Sequence, residues 1–162
     1  MKIRHSRLQE GFTLVELLIV VVILGVLAAI AIPQFSASTD DSKVAALDST
    51  LNNLRTAIEL YYQQHGTYPS AVAAGGSFGA INTKTAFRDQ LVNYTSAAGA
   101  ASTTKDATYK YGPYLKKSTI PADPVTGVST VTISTAGTLG MTASGTTGGW
   151  KFDNKTGQLI NN

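Results

Sequence analysis

A single carboxylate, Glu16, lies inside an apolar run from Phe12 to Ile32 that is otherwise interrupted only by Thr13 and small residues. At about 1.5 Å per helical residue, that run is just long enough to cross a hydrocarbon core of roughly 30 Å. Lys2, Arg4 and Arg7 precede it. Basic flanks stay on the cytoplasmic side, so the rest of the chain is expected outside the cytoplasm. Charged residues make up only 14% of the chain, against about a quarter in ordinary soluble domains, which agrees with part of it not facing water. A carboxylate deep in an apolar helix costs about 2.5–3.5 kcal/mol even on insertion scales, so it needs a reason to be there. A secretory signal peptide cut at Ala29-Ile30-Ala31 gives none, and neither does a plain signal anchor.

The stretch Glu10-Gly11-Phe12-Thr13-Leu14-Val15-Glu16-Leu17-Leu18-Ile19-Val20 resembles the processing site of type IV prepilins and type II secretion pseudopilins, and this resemblance does supply a reason. It implies that a membrane-embedded prepilin peptidase cuts after Gly11 and N-methylates the new first residue, Phe12. The freed amine would stand four residues before Glu16, on the same helix face, so pairing within one subunit is possible. The resemblance implies pairing instead with the Phe12 amine of a neighbouring subunit, which makes Glu16 an assembly determinant. Gly25 weakens a helix interior by roughly 1 kcal/mol relative to Ala. Pro33 lacks a backbone donor and disfavours the helical conformation at Ile32. Pro33 either ends the membrane helix or, as the resemblance implies, takes part with Gly25 in a kink or melted stretch that lets subunits pack.

Past Pro33, apolar residues recur at Val44, Leu47, Leu51, Leu54, Ile58 and Tyr61 or Tyr62. Those steps of three and four mark one stripe of an amphipathic helix, and His65-Gly66 stops it. Joined to the apolar run, this gives a helix of roughly 80 Å if continuous. A short helix is expected over Thr85–Tyr94, between loops at Ser70–Ala80 and Ala97–Thr104. The C-terminal third reads as strands: Ser129–Ser134 with a weaker partner at Thr138–Ala143, then Trp150–Asp153 and Gln158–Asn161 about an Asn154–Gly157 turn. Trp150, Phe152, Leu159 and Ile160 are expected to pack on the helical stripe. The resulting fold class is α+β, type IV pilin-like, with one long kinked helix against a small antiparallel sheet. Its segments are a leader (1–11), a membrane or filament-core half-helix (12–33), an amphipathic half-helix (34–66), a connecting region (67–128) and the sheet (129–162).

Several function classes find no support. There is no cysteine, which excludes disulfides and thiolate chemistry. His5 and His65 are far apart, no metal-ligand spacing occurs, and no nucleophile–base pair or convergent acid pair is visible; no catalytic residue, metal or cofactor is expected. Without residues 1–11 there are ten basic and nine acidic residues, so net charge offers nothing toward a nucleic-acid partner, and none is expected. Gly145–Gly149 is not a phosphate loop, because no Gly-Lys-Ser/Thr follows.

Two further segments, Tyr61–Pro69 and Gly112–Pro124, are similar to the major pseudopilins of type II secretion. Val125-Thr126-Gly127 departs from the aromatic-glycine pair common there. The resemblance implies a non-enzymatic filament subunit. Its partners would be other copies of itself, related pilin-like subunits, the prepilin peptidase and an inner-membrane assembly platform. Before assembly its N-terminus would be cytoplasmic and its C-terminal domain periplasmic; afterwards it would sit in a periplasmic pseudopilus or an extracellular pilus. The alternatives are a surface type IV pilus subunit and, from another class, a membrane-anchored periplasmic binding module that does not polymerise.

Overall fold

The computed structural model describes residues 11–145 and 148–162, with the side chains of residues 30–38 left outside the description. The leader at 1–10 and part of the Gly145–Gly149 run lie outside the described residues. Contacts divide the chain into two units, 1–41 and 42–162. Helix α1 runs over Leu14–His65.

In the second unit, the α1 stripe delivers Leu51, Leu54, Ala57, Ile58 and Tyr61 to the core, with Leu47 at its edge. Val44 is exposed, and of the tyrosine pair Tyr61 is buried while Tyr62 stacks on Tyr68. Helix α2, Lys84–Val92, begins where the Thr83 hydroxyl accepts a hydrogen bond from the Ala86 amide, the usual N-cap arrangement. It adds Phe87 and Leu91 to the same core. Its buried polar side chains hold the flanking loops. Gln90 accepts from the Ser70 amide at 2.6 Å and donates to the carbonyls of Val72 and Gly99, while Asp89 accepts from the Gly79 amide.

Two small sheets follow. Strands β1 (Tyr94–Thr95) and β2 (Ala101–Ser102) pair antiparallel. Strands β3 (Val131–Ser134), β4 (Trp150–Asp153) and β5 (Leu159–Asn161) form a sheet of that order, bringing Val131, Trp150, Phe152 and Leu159 into the core; Ile160 is only half-buried. The fold is α+β, but the larger sheet is mixed rather than antiparallel. β4 pairs antiparallel with β5 and parallel with β3, with Val131 opposite Trp150. The expected strand at Thr138–Ala143 does not form. Gly137 and Gly140 take φ of +72° and +83°, which breaks an extended path, and Leu139 is 82% exposed with no face to pack on.

One turn occurs twice. Asp123-Pro-Val-Thr-Gly127 and Asp153-Asn-Lys-Thr-Gly157 both end in a glycine at φ +74°. In each, the Asp amide donates to the carbonyl five residues on (Val128, Gln158), and the Gly amide donates to the Asp carbonyl. In each, the Asp Oδ1 accepts from the amide two residues on, and the Thr hydroxyl accepts from the residue after the glycine. Asp-x-x-Thr-Gly is therefore a repeated structural unit that closes the chain before and after β3–β4.

Candidate functional site

The candidate processing and assembly segment has no regular structure over residues 11–13 and turns helical at Leu14. Thr13 is the N-cap. Its hydroxyl accepts from the Glu16 amide at 3.2 Å, and Glu16 Oε2 reaches back to accept from the Thr13 amide at 3.3 Å and the Thr13 hydroxyl at 3.1 Å. This reciprocal capping box satisfies orphan donors of the first turn. The pattern Thr-x-x-Glu ahead of an apolar run is legible in the sequence, yet charge and burial arguments about Glu16 pass over it. Within one chain, Glu16 thus has a local partner in Thr13. Only Oε2 is engaged among the described residues.

Gly11 and Phe12 precede the cap and are exposed, Phe12 at 75%. Leu14 through Leu24, Val26 and Leu27 expose their apolar side chains all round the helix, apart from Glu16 and Gly25. A side chain built at Gly25 would meet nothing within 4 Å, so no neighbour within the chain requires glycine there. α1 passes through Pro33, which has no N–H to donate to the carbonyl of Ala29. Among the described residues no helix is long and apolar enough to cross a membrane; side chains of the expected span are described only to Ala29.

At the other end of α1, the chain brings together the two pseudopilin-like segments that are fifty residues apart in sequence. His65 Nε2 lies 2.8 Å from Tyr114 Oη and 3.0 Å from Thr95 Oγ1, and Nδ1 lies 3.3 Å from the Ala97 carbonyl. A carbonyl only accepts, so Nδ1 carries the proton and Nε2 accepts. Tyr114 Oη lies 2.8 Å from both Gln64 Oε1 and Nε2 and has one proton to share between them, and the Thr95 hydroxyl faces Nε2 as a second donor. Tyr61 lies against His65 at 4.2 Å between ring centroids and edge-on to Tyr114. Burial lowers the His65 pKa, partly offset by the Ala97 carbonyl; burial, then the neighbouring Tyr114, raises that of Tyr61. The ring cluster joins the helix exit to the connecting region. Among the described residues, no group of three or more His, Asp or Glu side chains is placed to hold a metal ion.

Comparison with known proteins bears on the same N-terminal segment. The family described as the prokaryotic N-terminal methylation motif matches residues 6–32. The type II secretion system core protein G of Pseudomonas aeruginosa is 41% identical over 66 residues, 41% of this chain and 46% of that protein. The fimbrial protein EcpC of Eikenella corrodens is 35% identical over 79 residues, 49% of this chain and 52% of that protein. The type IV major fimbrial protein FimA of Dichelobacter nodosus is 56% identical over 52 residues, 32% and 33% of the two chains. The chain thus spans between about a third and a half of these relatives' lengths. No solved structure matches it. The N-terminal segment of the chain thus carries the prokaryotic N-terminal methylation motif and is similar to that of type IV pilins and a type II secretion core protein, with an α+β fold behind it.

Proposed function

We propose that this chain is the precursor of a filament subunit that does structural work and no catalysis. A prepilin peptidase cuts between Gly11 and Phe12 and methylates the Phe12 amine. The subunit waits in the inner membrane with its N-terminus cytoplasmic and residues beyond the apolar run outside. An assembly platform then draws it into a polymer of itself and related subunits. The observation that carries this reading is the pairing of one carboxylate, Glu16, with an α1 surface that is otherwise apolar on every side from Leu14 to Leu27. Such a surface needs lipid or other helices around it. Glu16 Oε1, without a partner among the described residues, is the oxygen available to a neighbour's amine.

Between the two machines that use such subunits, we favour a type II secretion pseudopilus. Tyr61–Pro69 and Gly112–Pro124 carry the pseudopilin-like sequence, and their contact through His65 and Tyr114 supports reading them as one unit. Identity to the FimA protein of Dichelobacter nodosus favours the second reading, a surface pilus. Glu16→Ala tests the polymer chemistry: cleavage should continue while filament yield falls at least tenfold. Filaments recovered in wild-type yield would remove Glu16 from assembly.

A further inference from the structure

The two edges of the larger sheet are finished differently. The Asn162 and Asp153 amides donate to the Gly149 and Gln158 carbonyls, so residues 158, 160 and 162 face β4 and Leu159 faces outward. That outward carbonyl accepts from the Arg55 guanidinium of α1 at 2.8 Å. At the opposite edge, the Trp150 and Asn154 amides donate to the Thr130 and Ser134 carbonyls. Alternation along the parallel ladder then turns Thr132 toward β4, and the amides and carbonyls of Val131 and Ile133 away from it. Among the described residues, those four outward groups have no hydrogen-bond partner.

An unpaired edge invites another strand, and natural sheets blunt it with lysine, proline or a bulge. Val131-Thr132-Ile133-Ser134 has neither lysine nor proline, and its register with β4 runs without a bulge. Val131 sends its side chain into the core and is nearly buried, Thr132 is exposed and Ile133 is half-buried. Backbone groups that are neither paired nor well wetted carry a cost, and an added strand removes it. A cleft of about 270 Å³ reaches this edge at Val131 and the two residues before it, with Ile120 and, from α2, Lys84 and Arg88 as its other walls. No carboxylate lines it. Lys84 has no ion-pair partner among the described residues, and Arg88 gives Nε and Nη2 to Asp89 Oδ1, which leaves Nη1 for a further partner.

We propose that the β3 edge, with this cleft beside it, receives an extended acidic segment of another polypeptide as a fourth strand of the sheet. The edge selects the form of the partner, because only an extended backbone offers amides and carbonyls at the spacing of Val131 and Ile133. The cations of α2 select its charge, since no carboxylate lines the cleft with them. A second copy of this chain fits less well: its β3 holds no acid, and the outward carbonyl of its β5 already serves Arg55. This site goes beyond the filament reading and does not depend on it.

The test titrates the full chain, in a neutral detergent, into a fluorescent eight-residue probe of alternating valine and threonine with two glutamates at one end. Anisotropy should rise and saturate. The same probe methylated at every backbone nitrogen keeps its side chains, loses its donors and should bind about tenfold more weakly. Lys84→Glu should weaken the acidic probe about fivefold and favour a probe with lysines in place of the glutamates. On binding, the Val131 and Ile133 amides should exchange with deuterium about tenfold more slowly, while those of Thr132 and Ser134, already turned to β4, hold their rates. Ile133→Pro removes an outward donor and none that faces β4, and should weaken binding about fivefold with circular dichroism unchanged. Where that variant does not fold, the methylated probe carries the same test. Four results overturn the proposal: no saturable binding of the acidic probe, equal binding of the methylated one, the same effect of Lys84→Glu on acidic and basic probes, or a dimer through β3 that the probe does not displace.

Discussion

Asp153 is buried and still ionised. Burial pushes its pKa up, but the amides of Gly137, Thr156 and Lys155 and the hydroxyl of Ser134 all donate to it, and they bring it down to about 2. A carboxyl held below its unfolded value contributes stability above that value, about 3.9, and loses it as pH falls toward about 2. Asp153→Asn should therefore lower stability by about 1–3 kcal/mol at pH 7, read from urea midpoints. The gap between variant and wild type should close as pH drops from about 4 to about 2. Glu16 and Thr13 teach a different lesson. Gly11, Phe12 and Glu16 stand out in the sequence because their types and spacing match those of the prepilin processing site that the segment resembles. The capping box is a matter of hydroxyl and carboxylate geometry on the first turn, and an argument that weighs Glu16 only as a misplaced charge misses it. Thr13→Ala should speed hydrogen exchange at the first-turn amides roughly fivefold, as expected for loss of about 1 kcal/mol of cap, and Thr13→Ser should restore it.

α1 and its stripe are legible in the sequence because burial of a helix face imposes a period on residue choice. Leu54→Ala, at a fully buried stripe position, should cost about 2–5 kcal/mol, while Leu60→Ala, 44% exposed, should cost little. β4 and β5 are legible for a similar reason, since Asn154–Gly157 marks the turn between them. The parallel pairing of β3 with β4 is not. It depends on the path the chain takes between Ser134 and Trp150, and short hydroxyl-rich strands carry no register signal that separates parallel from antiparallel partners. The repeated Asp-x-x-Thr-Gly turn is visible as a pattern, but its meaning comes from the shared hydrogen bonds. Gly157→Ala combines φ of +74° with overlap of the Tyr68 ring, and a loss of about 1 kcal/mol or more is expected in thermal unfolding. The His65 junction adds a pH dependence. Burial holds its pKa below the ordinary 6.5, so the unfolded chain binds the proton more readily. Stability should fall as pH drops below about 6.5, and His65→Gln should reduce that fall, measured by denaturant midpoints at pH 7.5 and 5.

Across the whole molecule, the two units answer to different demands. Residues 42–162 fold about a core built from α1, α2 and the mixed sheet, and bury acids while leaving every cation outside. The apolar surface from Leu14 to Leu27 has no cover of its own among the described residues, and the filament reading proposes that a membrane or other subunits supply it. Charge counting over the sequence misjudges the second unit, because it treats a buried, hydrogen-bonded carboxylate such as Asp89, Asp123 or Asp153 as equal to one in water. The filament reading stands or falls on where the mature chain begins. Intact mass spectrometry of the protein from membranes of a producing cell, with fragment sequencing of its N-terminus, measures that directly. A chain starting at Phe12 with one added methyl group is the expected result. A start at Ile32, or an uncut Met1, contradicts cleavage after Gly11 and the assembly chemistry built on it.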